Sequence, residues 1–153
     1  MANICRSPTA HGVFQKIVIE HGLRKIVEVD SAGTHVYHVG NKPDTRAINI
    51  AEKHGYNLSK LRARKVTSAD FENFEYIIAL DDENYADLIN QCNEEHKQKV
   101  KRFLDFSTQT EFSEVPDPYY GGIQGFETVL ALTEDASCGL LEHIKNTHWP
   151  TSS

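Results

Sequence analysis

Arg6 stands between Asn3-Ile4-Cys5 and Ser7-Pro8, and it is the residue of this chain best equipped to hold an anion. Ser7 followed by Pro8 predicts a helix start, because a serine hydroxyl accepts from an unpaired first-turn N–H and proline fits the first helical position without wasting a donor. Free backbone N–H groups, the positive end of a helix dipole and a guanidinium fork then converge, a combination that suits a doubly charged phosphate oxyanion. An ordinary capped surface helix with an incidental arginine would have the same local sequence. A second constellation is Pro116-Asp117-Pro118-Tyr119-Tyr120-Gly121-Gly122. Two prolines fix the backbone around one aspartate, two rings follow, and two glycines allow a sharp turn. It reads either as an exposed, aromatic-decorated turn or as a rigid loop presenting a general acid beside a flat leaving group.

The elements that must position these groups follow from periodicity. Val13, Phe14, Ile17 and Val18 form one stripe of a helix over residues 8–21, with Gly22 as its stop. The β-branched run Lys25–Asp30 predicts a strand ending in Ser31-Ala32-Gly33-Thr34. Pro43-Asp44 opens a second helix that turns Ala47, Ile48 and Ala51 to the core and stops near Gly55. Thr67 to Asp70 matches a capping box, Tyr76–Leu80 is a buried strand, Asp81-Asp82-Glu83 starts a helix reaching about Cys92, and Val100–Leu104 is a short strand. Residues 106–122 have no clear period, and a last helix of about 126–145 carries Val129, Leu130, Leu140, Leu141 and Ile144. Strands alternating with helices imply an α/β fold of three layers, a parallel sheet covered by helices on both faces. The one break in the rhythm is at the front, where the first helix has no strand ahead of it.

The chain has 153 residues, 39% hydrophobic and 25% charged, the size of a single domain, 1–153. Its net charge of −6 argues against nucleic acid or an anionic membrane as a partner. No secretory signal and no membrane span is evident, so a cytoplasmic protein is expected. Cys5, Cys92 and Cys138 are odd in number and far apart, which suits neither a disulfide framework nor a zinc site. His35 and His38 have no third ligand in sequence reach, and no metal or other cofactor is expected. Trp149 reads as a packing anchor.

Taken together, N-I-C-R-S-P at the first helix, D-S-A-G-T after the next strand, A-R-K-V-T before the short helix and D-P-Y-Y-G before the last one resemble the low-molecular-weight protein-tyrosine phosphatase family. The resemblance spans essentially the whole chain. It implies hydrolysis of protein phosphotyrosine or small aryl phosphates through a phosphocysteine, with inorganic phosphate as product. Arg6 and Asp117 would be catalytic, and Asn3, Ile4, Cys5, Arg6 and Ser7 would line the phosphate. Asn3, Ser7 and Ser31 would brace the loop, and Tyr37, Tyr119 and Tyr120 would form the rim that stacks on the substrate ring. The family's loop reads C-x5-R-S, and counting back six from Arg6 lands one position before Met1. The nucleophile and the strand leading to it are therefore expected to be missing from this chain, leaving it inactive as it stands. That strand is expected to be central, between Lys25–Asp30 and Tyr76–Leu80, so that its absence favours self-association. Cys5 corresponds to a second loop cysteine, a redox guard of the nucleophile or simply a small thiol in a tight loop. Leu61 replaces the histidine common before A-R, and Lys65 stands where glutamine is common. A non-catalytic phosphotyrosine-binding module and a thiol-dependent arsenate reductase are the alternatives. The latter needs two further neighbouring cysteines, which Cys92 lacks.

Overall fold

The computed structural model describes residues 6–32, 45–61, 64–108 and 122–148, with side chains from residue 8 in the first stretch and from 125 in the last. Helix α1 (Arg6–Glu20) begins two residues ahead of the expected start at Pro8 and buries Val13, Phe14 and Val18. It ends where the sequence predicts. Gly22 takes φ +72°, the Leu23 N–H donates to the Val18 carbonyl (3.0 Å) and the Gly22 N–H to the Ile19 carbonyl (3.0 Å), a left-handed cap that satisfies the last carbonyls. Helix α2 (Thr45–Lys53) closes in the same way at Gly55, φ +87°. Its core face is Ala47, Ile50 and Ala51, so Ile50 takes the buried position expected of Ile48, which is only half-buried. Spacings of three and four from Ala47 put Ile50 and Ala51 on one side.

Helix α3 (Ser68–Asn73) starts as a capping box, with the Asp70 carboxylate accepting from the Thr67 N–H at 2.8 Å. Strand β1 (Ile77–Ala79) runs parallel to β2 (Val100–Arg102), pairing Ile77 with Val100 and Ala79 with Arg102. Between them Asp81 caps helix α4 (Asp82–Gln91) by accepting from the Asn84 N–H at 2.7 Å, the helix start expected of the acidic triplet. Two 3₁₀ turns, Glu94–Lys99 and Phe103–Phe106, bracket β2. Helix α5 (Gly122–His148) starts earlier and ends later than its periodicity predicts. It holds a longer apolar stripe that includes Phe126 and Leu132.

Side chains alternate across β1. Tyr76, Ile78 and Leu80 join α1 and α5 with Phe14, Val18, Val129 and Leu140, whereas Ile77 and Ala79 join α3 and α4 with Phe71 and Leu88. The described sheet therefore lies between two helical layers, as an α/β fold requires. A third cluster, Val13, Ala47, Leu58 and Phe126, locks α1, α2 and α5 together.

The expected strand Lys25–Asp30 is the main correction. Residues 24–26 form a turn with Ile26 62% exposed, and Val27–Asp30 pair in no ladder among the described residues. The strand pattern survives in burial: Val27 and Val29 pack on the core while Glu28 and Asp30 face out. What the segment lacks is a described neighbour to exchange hydrogen bonds with. A cavity of about 590 Å³ separates it from residues 73–78 and the edge of β1 that faces away from β2. Phe14, Leu80, Phe103, Leu140 and Ile144 form its apolar floor. Among the described residues no helix is long and apolar enough to cross a membrane.

Candidate active site

The first turn of α1 carries Arg6 and Ser7 at the helix N-terminus, where the sequence predicts the anion cradle. Asn3, Ile4 and Cys5, together with Tyr37, Asp117, Tyr119 and Tyr120, lie outside the described residues, as do His35, His38 and Trp149. Ser31 is described, and it is not isolated. Its hydroxyl lies 2.9 Å from His11 Nδ1, and its N–H donates to Asp30 Oδ1 at 2.8 Å. Asp30 Oδ2 is 3.0 Å from Arg64 Nη2, and Arg64 grips Asp70 with both prongs, Nη1 to Oδ2 at 2.9 Å and Nη2 to Oδ1 at 3.1 Å. Asp70 in turn caps α3.

A continuous polar path thus runs from α1 through the D-S-A segment to the A-R-K-V-T segment, and His11, Asp30, Ser31, Arg64 and Asp70 all line one wall of the cavity. Two of the four sequence motifs, D-S-A-G-T and A-R-K-V-T, meet there with the helix that follows a third. Sequence reasoning missed His11, gave no role to Asp30 or Arg64, and read Asp70 only as a helix cap. The available signal was that two charged residues of opposite sign, Asp30 and Arg64, sit inside separate motifs.

The electrostatics follow from the contacts. Burial pushes the His11 imidazolium to a lower pKa than usual; Asp30 opposes that shift and Arg64 adds to it, so the ring is neutral at pH 7. The hydrogen bonds to Asp70 lead in raising Arg64. Burial alone would raise the Asp70 carboxyl, but the bonds from Arg64 and from the Thr67 backbone outweigh it and hold the group below the usual carboxylate range.

Leu61 is turned into the apolar cluster of Val13, Ala47 and Leu58, so the position where a histidine is common contributes packing and no hydrogen bond from its side chain. On the approach to Asp117, the Asp135 carboxylate on α5 accepts from the Ser107 hydroxyl (2.5 Å), the Thr108 N–H (2.8 Å) and the Thr108 hydroxyl (2.8 Å). These bonds tie Ser107 and Thr108, the last described residues before 109–121, to α5.

The described thiols are unsuited to nucleophilic work. Cys92 is buried and its pKa is raised by desolvation; that of Cys138 is raised by desolvation and by Asp135, Glu134 and Glu20. Among the described residues no group of three or more His, Cys, Asp or Glu side chains could hold a metal ion.

The model of the low molecular weight phosphotyrosine protein phosphatase family matches residues 1–149. The chain belongs to that family. It is 35% identical to the low molecular weight protein-tyrosine-phosphatase YfkJ of Bacillus subtilis over 95% of this chain and 92% of the other. It is 37% identical to the low molecular weight phosphotyrosine protein phosphatase of Schizosaccharomyces pombe, over 94% and 92%. A crystal structure of the protein tyrosine phosphatase of Entamoeba histolytica, with Hepes in its active site, superposes with a TM-score of 0.93 at 41% identity over 96% of this chain and 94% of that one. This family member is therefore a phosphatase with an α/β fold, and its polar wall belongs to a phosphatase scaffold.

Proposed function

We propose that the chain is one domain, 1–153, built for the hydrolysis of protein phosphotyrosine and small aryl phosphates in the cytoplasm, with Arg6 and Asp117 as its catalytic groups. The observation that carries this reading is the convergence on one cavity wall of the α1, D-S-A and A-R-K-V-T segments through His11, Ser31, Asp30, Arg64 and Asp70. The substrate's phosphoryl dianion sits at the α1 N-terminus against Arg6 and the N–H groups of Asn3 to Ser7. Asn3, Ser7 and Ser31 brace that loop, and Tyr37, Tyr119 and Tyr120 hold the ring.

The chemistry needs a thiolate directly before Met1. Its sulfur attacks phosphorus, the phosphorus–oxygen bond to the ring breaks, and Asp117 gives its proton to the leaving phenolate. The Asp117 carboxylate then takes a proton from water as that water attacks phosphorus. The phosphorus–sulfur bond breaks, and inorganic phosphate leaves.

Cys5 is adjacent to Arg6, and Cys92 and Cys138 have their pKa values raised, so the 153 residues supply no substitute nucleophile and this polypeptide alone turns over at background. An added strand ending in Cys directly before Met1 restores turnover of an aryl phosphate; an extended protein that stays at background although it binds phosphate refutes the mechanism.

The same reading assigns the cavity between Val27–Ala32 and β1 to an extended segment that pairs with both edges. The outer edge of β1, unpaired among the described residues, the apolar floor and the exposed Ile26 support it, and they favour self-association of a polypeptide that lacks such a segment. Sedimentation of the 153-residue chain as a monodisperse monomer, with the thermal midpoint of the extended form, counts against that assignment.

A further inference from the structure

We propose that His11 is a positioning residue of the oxyanion site, its ring fixing the Ser31 hydroxyl and, through it, the segment that braces the phosphate loop. This deepens the proposed function and rests on it. A serine hydroxyl has one proton and two lone pairs on a free rotor, so what it offers the loop depends on the partner that fixes it. Here the partner is His11 Nδ1 at 2.9 Å, a contact spanning twenty residues of sequence between α1 and the D-S-A segment.

Two features make the contact a positioning device. His11 lies five residues after Arg6, the first residue of α1, so it sits within two turns of the helix N-terminus proposed to bind the anion. The far side of the Ser31 segment is already anchored, because Asp30 is tied to Arg64 and Arg64 to Asp70. The His11–Ser31 bond joins that anchored segment by its polar end to the helix carrying Arg6.

His11, Ser31 and Asp30 have the residue types of a Ser–His–Asp triad but not its connectivity. The Asp30 carboxylate bonds Arg64 and the Ser31 N–H, and no hydrogen bond joins it to the ring among the described residues. Among the described residues the charges acting on the ring are Asp30 from the Ser31 segment and Arg64 from the A-R-K-V-T segment, opposite charges that pair with each other, Arg64 being paired in turn with Asp70 of α3. A half-buried neutral imidazole in that setting offers one donor and one acceptor, and at Nδ1 it sets the direction of the serine proton.

The test is calorimetric titration of the 153-residue protein at pH 7.5 with inorganic sulfate, a dianion that does not titrate near that pH. The variants are His11→Leu, His11→Asn, Ser31→Ala, the double variant His11→Leu/Ser31→Ala, and Arg6→Lys. One hydrogen bond of this kind corresponds to about a 3- to 10-fold change in affinity. His11→Leu and Ser31→Ala should each weaken sulfate by that factor, the double variant should be no weaker than either, and His11→Asn should recover part of the loss. The His11 ring nitrogens, followed by NMR, should change tautomer balance in Ser31→Ala, a signature that a purely structural histidine would not give.

Additive losses, or wild-type affinity in folded His11→Leu, overturn the proposal while an Arg6→Lys loss keeps the oxyanion site standing. If Arg6→Lys also binds as the wild type does, the oxyanion site itself is elsewhere and the proposal falls with it. Should His11→Leu not fold, the ring decides: nitrogen resonances unmoved by Ser31→Ala overturn the assignment.

Discussion

Replacing Arg64 by alanine tests the polar wall directly, because Arg64 spans two carboxylates from two segments. The two prongs on Asp70 are short and the carboxylate is 15% exposed, so that leg is a charge-assisted, partly desolvated pair contributing about 1–2 kcal/mol. The leg to Asp30 is 43% exposed on the carboxylate side and contributes no more than about 0–1 kcal/mol. Arg64→Ala should therefore cost about 2 kcal/mol at pH 7, a fall in thermal midpoint of roughly 4–8 °C for a chain of this length. Arg64→Lys keeps the charge but not the fork and should recover less than half.

The sign with pH follows from Asp70. Its folded pKa is depressed below the ordinary carboxylate value of about 3.9, so its stabilisation is fully present above that value and is lost as pH falls through the folded pKa. The gap between wild type and Arg64→Ala should thus be constant at neutral pH and close only at pH values below about 3.9. Thermal unfolding monitored by circular dichroism over pH 2.5–7 reads both effects. A gap under about 0.5 kcal/mol at pH 7, the level of an ordinary surface substitution, or a gap that does not change with acid would refute the reasoning.

In the protein extended by a strand ending in Cys, Asp117→Asn should lower turnover by about 10²- to 10⁴-fold for a poor phenolate leaving group and far less for a good one; a loss independent of leaving-group pKa removes Asp117 from the acid role. Arg6→Lys in the 153-residue chain should weaken inorganic phosphate although net charge is unchanged, as calorimetry would register. Gly139→Ala should destabilise by about 1–2 kcal/mol. A β-carbon there runs into the Phe106 carbonyl, whose backbone cannot yield, and that collision outweighs the roughly 1 kcal/mol of helix propensity gained. A raised midpoint in chemical or thermal unfolding would mean that α5 and the Phe103–Phe106 turn are not in such close approach.

The sequence made the helices legible because their ends are chemically marked: Gly22, Gly55, the Thr67/Asp70 box and Asp81 all act where they are written. Tyr76–Leu80 was equally readable, since a continuous apolar run suits a strand covered on both faces. Lys25–Asp30 was misread because β-branched composition reports a strand's side chains, whereas a strand also needs a partner for its backbone, and partners are non-local. Ile48 and Ile50 were exchanged because two isoleucines two apart cannot both lie on a narrow helix face, and choosing between them takes the packing of α5. At the site, the places of Arg6 at the α1 start and of Ser31 on the cavity wall were legible by motif, whereas His11 was not. Its significance comes from the histidine lying 2.9 Å from a serine twenty positions away, and no local pattern encodes that.

The exception at Val27–Asp30 and the polar wall are two sides of one arrangement. A segment held in a sheet is positioned by ladder hydrogen bonds along its whole length, but this one has none to a described strand. Val27 and Val29 hold it by apolar contact on one side, a non-directional force that leaves sliding along the core inexpensive. Direction must come from the polar end, where Asp30 is fixed by Arg64 and Ser31 by His11. Those bonds fall at the Ser31 end of the segment, while the other end is held by the Ile26 and Val27 N–H groups donating to the Leu23 carbonyl. Perturbing Arg64 or His11 should therefore displace the site before it unfolds the domain. Adding a strand beside Val27 should stiffen the segment from the other side and make the same substitutions less costly.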